Sequence, residues 1–280
     1  MIWELRHEFK VSLLIDVAGI PRSTYYYYEK HRMDEDKYKE IKEEIANIFA
    51  ENKGRYGYRR ITDELHNRKY VINHKTVQRL MNEIGLVCKV RMKKYRSYKG
   101  EIGKIAPNLL ERDFSTTHPD QKWVTDVTEF SLFGQKLYLS PILDLYSGDI
   151  VSYTICDRPA LSMVTDMLKL AFEKISDDTN LILHSDQGWQ YQHKHYQRML
   201  KDKGIQQSMS RKGNCLDNAV MENFFGLLKS ELLYLQEFDS LAQFRTELED
   251  YLDYYNNRRI KHKLNGLTPS QHRSQAIFVA

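Results

Sequence analysis

Three acidic side chains occur in separate predicted elements where a divalent cation could bind. Asp126 lies within the alternating run 123–128, Asp186 follows the apolar run 181–184, and Glu222 lies on a predicted long helix. A carboxylate in a strand is costly to bury unless it is paired or binds metal. Mg²⁺ prefers oxygen ligands, and two such ions can stabilise the attacking and leaving oxygens of a phosphodiester displacement. These residue types therefore point to phosphoryl transfer.

The elements that would position these acids change in character near residue 118. Tight turns join the first three predicted strands, which favours an antiparallel meander. Alternating helices and strands then follow, which is typical of a mixed α/β core over residues 118–275 in the order of the ribonuclease H-like fold. The predicted strands are 121–132, 136–144, 149–156, 181–184 and 206–208, and the predicted helices are 161–172, 191–200, 216–233 and 241–255.

The front of the chain is predicted to be all helical. Residues 1–36 indicate a short helix-turn-helix, with Gly19 between its helices, and residues 37–95 indicate a second helix-turn-helix that binds DNA. The second unit ends in a predicted helix from about His74 to Ile84, whose polar face carries Lys75 and Arg79. Residues 96–117 are interpreted as a basic linker.

Charge separates the two halves of the chain. Residues 1–110 hold 23 Lys and Arg against 15 Asp and Glu, whereas residues 111–280 hold 19 against 23. A basic front half favours contact with a phosphate backbone. The basic residues of this half that are predicted to contact DNA are Arg59, Arg60, Lys75, Arg79, Lys93 and Lys94.

Composition excludes several other classes. The 3 cysteines form no C-x-x-C pair, which excludes a disulfide framework and argues against a zinc finger. No apolar run approaches the length that spans a bilayer, and we find no signal peptide. We therefore expect a cytoplasmic protein that makes no membrane contact.

Several motifs together resemble one family. They are Trp123-Val124-Thr125-Asp126-Val127-Thr128, His184-Ser185-Asp186-Gln187-Gly188-Trp189-Gln190-Tyr191, the run from Ser210-Arg211-Lys212-Gly213-Asn214 through Glu222 to Lys229, Tyr255-Asn256-Asn257-Arg258-Arg259 and Leu267-Thr268-Pro269-Ser270. The chain resembles the second-frame product of insertion-sequence-three family transposases, which share a catalytic core with retroviral integrases. Residues 41–95 resemble the helix-turn-helix that precedes this core.

The resemblance implies a DDE transposase that cleaves and joins DNA at insertion-sequence ends. Asp126, Asp186 and Glu222 would be the catalytic, metal-binding carboxylates. They would hold Mg²⁺, with Mn²⁺ as a substitute and two ions per site. Lys229 would contact the transposon end, and Arg211 and Lys212 of the same motif are also predicted to contact DNA. The implied partners are double-stranded DNA, as both transposon ends and target, further copies of this chain on that DNA, and a first-frame protein.

Other functions fit parts of the sequence. A ribonuclease H-like nuclease would use the same fold and acids, and a DNA-binding regulator would need only the front half. The interval between Asp186 and Glu222 leaves 35 residues between them, and roughly one Asp–Glu pair at that interval is expected by chance. A tyrosine recombinase is suggested only by the short H-x-x-R of His195 and Arg198.

Helical geometry relates Glu222 to Lys229. At 100° per residue, Lys229 falls about 20° from Glu222 on the same face of the predicted helix. The same geometry predicts that the opposite face, which carries Leu216, Val220, Phe224 and Leu227, packs into the core.

Overall fold

A computed structural model describes residues 2–30, 36–90, 105–177, 179–211 and 215–279. The chain forms two compact units, Met1–Asn47 and Ile48–Ala280. The boundary falls inside a helix, Lys39–Glu51. It therefore differs from the predicted boundary at residue 36, and the proposed domain limits stay a prediction.

The helices of the front half follow the predicted pattern. They are α1 (Ile2–Leu5), α2 (Val11–Ala18), α3 (Arg22–Lys30), α4 (Lys39–Glu51), α5 (Tyr58–Asn67) and α6 (His74–Glu83). Gly19 ends α2 with a left-handed φ of 65°, a conformation that glycine adopts without steric cost. Asn73 caps α6 by accepting the backbone N–H of Lys75.

One mixed sheet forms the centre of the second unit. Its strands are β1 (Lys122–Thr125), β2 (Thr128–Leu132), β3 (Gln135–Asp144), β4 (Ile150–Cys156), β5 (Ile182–Ser185) and β6 (Gln206–Met209). β1 and β2 both pair antiparallel with β3, and β4 pairs antiparallel with β3 as well. β1, β5 and β6 run parallel. The predicted ribonuclease H-like α/β order is confirmed.

The predicted strand 121–132 is interrupted at Asp126. β1 pairs Thr125 with Ile142, and β2 pairs Thr128 with Leu139. The same register, continued across the gap, places Pro141 opposite Asp126. Proline has no backbone N–H to complete a strand ladder. Asp126 therefore lies just beyond the end of β1. The expectation that it lies in the middle of a strand was wrong.

Helices cover the sheet and complete the core. They are α7 (Leu161–Phe172), α8 (Lys194–Asp202), α9 (Ala219–Leu228), α10 (Leu241–Asn257) and α11 (Pro269–Val279). Trp123 is fully buried in a core cluster with residues of α7, α8 and β5, so it supports the sheet. Among the described residues, no helix is both long and apolar enough to cross a membrane.

The predicted long helix 216–233 consists of three segments. A 3₁₀ turn (Cys215–Asn218) precedes α9, and a π-helical turn (Lys229–Leu233) follows it. The predicted packing face was wrong in part, because Leu216 is 57% exposed. The α9 side chains that are buried are Met221, Phe224, Phe225 and Leu228. The change to 3₁₀ geometry before α9 removes Leu216 from the α-helical spacing that the prediction assumed.

Candidate active site

The register of β1 and β5 aligns two of the three acids. These parallel strands pair Lys122 with Ile182 and Val124 with His184. Each residue of β1 therefore faces the residue sixty positions later in β5, which is also the separation of Asp126 from Asp186. Because the carboxyl ends of parallel strands meet at one edge of a sheet, both acids lie at the edge where α/β sheets place ligands.

Asp126 is held by two hydrogen bonds from neighbouring groups. Its Oδ1 accepts the Val127 backbone N–H at 2.7 Å, and its Oδ2 accepts Asn218 Nδ2 at 3.2 Å. Burial, followed by the charges of Asp186 and Glu222, raises the carboxyl pKa of Asp126 well above its usual range. Asp186 and Glu222 therefore both lie within electrostatic reach of Asp126.

Asp186 is oriented by the backbone of the loop that follows β5. Its Oδ1 accepts the Gly188 N–H at 2.8 Å. A Cβ atom at residue 188 would lie 2.9 Å from that same oxygen, so glycine permits this close approach. Gln187 ties the loop to Ser210 by donating Nε2 to its carbonyl oxygen at 2.9 Å. Burial raises the pKa of the Asp186 carboxyl.

Glu222 lies in the first turn of α9 and is partly buried, which raises its carboxyl pKa. A negative charge there is stabilised by the helix dipole. Lys229 begins the following π-helical turn, and its Nζ lies 5.7 Å from the centre of the Phe130 ring. Burial lowers the Lys229 pKa, while Glu129 and Asp126 oppose that shift. The Lys229 ammonium thus lies within electrostatic reach of Asp126; its predicted alignment with Glu222 stays a prediction, because Lys229 begins a π-helical turn and not a regular α-helical one.

These groups fit a divalent cation that binds through oxygen. Among the residues that the structure describes, no three His, Cys, Asp or Glu side chains already stand as a metal cluster. Asn218 Oδ1 is buried and has no hydrogen-bond partner there. Bound positive charge would relieve the repulsion that raises the Asp126 pKa. The donors are hard oxygens, which suits Mg²⁺ better than a soft metal.

Several curated relatives match this chain over nearly its whole length. The putative transposase InsK of insertion sequence element IS150 from Escherichia coli is 53% identical over 275 residues, which cover 98% of this chain and 97% of the relative. The transposase InsF of insertion sequence IS3A, also from Escherichia coli, is 32% identical over 270 residues, 94% of each chain. The chain belongs to the insertion-sequence-three family of DNA transposases.

Three family models match successive segments of the transposase. Residues 35–94 match an HTH-like domain, and residues 116–215 and 222–277 each match an integrase core domain. The transposase thus joins a DNA-binding module to a core that performs polynucleotidyl transfer, and DNA is its partner. The comparisons do not support a non-catalytic regulator or a ribonuclease H-like nuclease.

Solved structures of integrase catalytic cores align with part of the transposase. The HTLV-2 integrase catalytic core domain, determined in complex with magnesium, is 20% identical and covers 56% of this chain and 97% of that chain. Its TM-score is 0.46.

The basic residues predicted to contact DNA occupy different environments. Arg59, Lys75 and Arg79 are exposed on α5 and α6, and Arg79 pairs with Glu83. Arg60 instead lies 3.3 Å from Glu231, whose side chain is only 1% exposed. Its position favours a structural role over a DNA contact. Lys93, Lys94 and Lys212 lie outside the described residues, as does most of the basic linker.

Arg211 is engaged by a carboxylate that the sequence did not identify as its partner. Asp217 is fully buried, and Arg211 binds it through Nε and Nη2 at 2.9 Å each. Arg112 reaches the same carboxylate through its Nε at 3.0 Å. The Arg211 guanidinium therefore stands beside the chain segment that enters α9, while remaining half exposed.

A second buried carboxylate, Glu231, joins the helix-turn-helix to the core. Arg259 donates to both of its oxygens, Arg60 approaches from α5, and Tyr251 donates its hydroxyl at 3.0 Å. Arg55 binds the Glu231 carbonyl oxygen at 2.9 Å. Arg259 lies in the family motif 255–259. Its partner is 28 positions away in the sequence, so residue spacing could not reveal the pair.

Proposed function

We propose that Asp126, Asp186 and Glu222 bind the divalent cations with which this transposase cleaves insertion-sequence ends and transfers them to target DNA. The observation that carries the proposal is the alignment of Asp126 with Asp186 across β1 and β5, with the charge of Glu222 within reach of Asp126. Three carboxylates from separate elements can converge on the same ions.

The side chains around these acids have supporting roles. Asn218 and the Val127 N–H orient Asp126, and the Gly188 N–H orients Asp186. Lys229 adds positive charge where a phosphate must approach. Divalent cations, when bound, would stabilise both the attacking and the leaving oxygen of an in-line displacement. In each step, an oxygen–phosphorus bond forms as another breaks, the attacking hydroxyl or water gives up a proton to solvent, and the leaving oxygen takes up a proton from solvent.

The metal is proposed to be Mg²⁺, with two ions per site and Mn²⁺ as a substitute. Carboxylates and substrate phosphate are the ligands that Mg²⁺ commonly uses, while the rest of its octahedral shell is water.

The DNA-binding surface is proposed to include α5, α6 and the region around the carboxylates. Arg59, Lys75 and Arg79 present positive charge on the helix-turn-helix, where a helix can enter the major groove. Lys93, Lys94, Arg211, Lys212 and Lys229 complete the proposed set. We further propose that the transposase acts in the cytoplasm as a homo-oligomer on paired DNA ends and cooperates with a first-frame protein.

Replacement of Asp126 by Asn tests the metal assignment. The change keeps the side-chain size but removes the negative charge that would hold a divalent ion. Cleavage of a duplex that carries the element's terminal sequence should fall by several orders of magnitude in Mg²⁺, while binding to that duplex persists. Asp202→Asn is the matched control, because Asp202 is 65% exposed and pairs only with Arg198 among the contacts described. Full cleavage by Asp126→Asn would refute the assignment.

A further inference from the structure

A buried carboxylate holds two arginines at the surface beside the carboxylate site. The Asp217 side chain is 0% exposed, whereas Arg112 is 45% exposed and Arg211 is 57% exposed. Asp217 also accepts the backbone N–H of Arg211 at 3.0 Å and Asn108 Nδ2 at 3.1 Å. A carboxylate with this many donors has fixed geometry, so it holds both guanidinium groups in defined orientations.

The charge of this group is not balanced. Arg211 alone binds both oxygens of Asp217, and such a bidentate pair already neutralises one carboxylate. Arg112 adds a second positive charge through its Nε. Among the described residues, no hydrogen bond occupies Nη1 of Arg211 or either Nη of Arg112. The three side chains therefore carry one net positive charge, which the nearby Glu111 carboxylate partly offsets at Arg211, and they keep exposed N–H donors.

Backbone strain accompanies the placement of Arg112. Glu111 and Arg112 have φ angles of 46° and 67°, a left-handed conformation that is costly for residues other than glycine. The segment is nevertheless firmly attached to β6. Pro107 accepts the Met209 N–H at 3.2 Å, and the Leu109 N–H donates to Ser208 Oγ at 2.9 Å. Strain of this kind persists where the surroundings impose it, often at functional sites.

Asp217, which binds the two arginines, is next in sequence to a residue that contacts Asp126. Asn218, the residue after Asp217, donates to Asp126 Oδ2. A DNA strand that brings a phosphodiester bond to Asp126 and continues past Asn218 would place a neighbouring phosphate near Asp217 and its arginines. Guanidinium groups bind phosphate oxygens through paired N–H donors.

We propose that Arg112 and Arg211, oriented by Asp217, form a clamp for one phosphodiester group of the DNA strand that enters the carboxylate site. The proposal rests on the proposed function for the location of that strand. It adds Arg112 as a DNA-binding residue and Asp217 as the residue that positions it. The ligand is a backbone phosphate, so the clamp contributes to affinity and to strand position without reading base sequence.

Binding measured without metal tests the clamp independently of cleavage. The probe is a duplex with the element's terminal sequence, titrated over a range of salt concentrations. Arg112→Gln should lower the slope of log affinity against log salt by about 0.9, the value of one phosphate contact on duplex DNA. Arg198→Gln is the matched control, because Arg198 is 80% exposed on α8. An unchanged slope for Arg112→Gln would overturn the proposal.

Neutral linkages locate the phosphate. Single methylphosphonate substitutions near the cut site remove one charge at a time. One of them should weaken binding by the wild type but have no effect on binding by Arg112→Gln, because the contact is already lost. If every substitution weakened both proteins equally, Arg112 would be an internal anchor only, and the proposal would be wrong.

Asp217→Asn separates geometry from net charge. The change makes the protein more positive, so charge alone predicts tighter DNA binding at low salt. The clamp predicts weaker binding, because the arginines lose the carboxylate that orients them. Tighter binding by a folded Asp217→Asn protein would contradict the role of Asp217. If this variant fails to fold, the Arg112→Gln titration and the methylphosphonate scan still decide the proposal.

Discussion

Arg259 donates Nε and Nη2 to the two carboxylate oxygens of Glu231, each at 2.8 Å. Both side chains are almost completely buried, at 3% and 1% exposure. Arg60 from α5 and the Tyr251 hydroxyl also contact Glu231. Burial alone would raise the pKa of this carboxyl, but the arginine charges hold it at about 2. The packing of α5 against the core therefore depends on Glu231 being ionised.

We expect Glu231→Gln to lower the free energy of unfolding by about 3–5 kcal/mol at neutral pH, because it leaves a buried arginine without its charge partner. The folded pKa lies below the unfolded value of about 4.3. The stabilisation is therefore complete above that value and is lost as pH falls toward 2. Urea unfolding at pH 7 and pH 3 measures the difference. Glu237→Gln, at an exposed position, is the control. An equal loss of stability at both pH values would contradict the ionised pair.

Glu222→Gln should abolish cleavage while leaving folding and end binding near wild type. Glu222 is only partly buried, burial is the cause of its raised pKa, and it forms no ion pair with the residues that the structure describes. Its replacement should therefore change stability by less than about 1 kcal/mol. Cleavage in Mg²⁺ and thermal unfolding are measured on the same protein, with Glu173→Gln as an exposed control. Substantial cleavage by Glu222→Gln would remove Glu222 from the metal site.

Lys229→Ala should weaken binding to the DNA end most strongly at low salt. A lost phosphate contact lowers the salt dependence of affinity by about one unit of slope, so the two proteins should converge as salt rises. Because Lys229 lies among acids that include Asp126, cleavage should fall as well. Lys201→Ala, on the exposed side of α8, is the matched control. Parallel salt titrations of the wild type and Lys229→Ala would exclude a phosphate contact at Lys229.

Gly188→Ala should reduce cleavage by about 10–100-fold, the usual effect of disturbing a group that orients a metal ligand. The added methyl group would lie 2.9 Å from Asp186 Oδ1 and force that carboxylate to move. The backbone N–H is retained, so the effect would come from the crowding. Gly57→Ala is the control, because its Cβ would make an ordinary contact of 3.8 Å with Cys88. Wild-type cleavage by Gly188→Ala would show that this position of Asp186 is not needed.

Local pattern was enough to predict the strand–helix order and the motifs that contain the three acids. Residues 161–172 were predicted as a helix and form α7 with the same bounds. The break at Asp126 was missed because its cause, Pro141, lies in a different strand, and only the register brings the two together.

The partners of the buried ion pairs could not be predicted from the sequence either. Arg60 appeared suited to DNA because it follows Arg59 in a basic run, yet it approaches a glutamate 171 positions away. Asp217 was assigned no role from the sequence, yet its side chain binds Arg112 and Arg211. In both cases the partner is set by tertiary packing, which neither periodicity nor composition records.

The shared register of β1 and β5 also determines where this chain tolerates a change in length. Adding one residue to either strand before its acid would turn that carboxylate to the opposite face of the sheet. The connection between β4 and β5 does not carry that constraint, because added residues there leave the strand pairing intact. A peptide tag inserted near Lys174, beyond α7, should therefore preserve the alignment of Asp126 with Asp186, whereas a single residue inserted after Leu183 should destroy it.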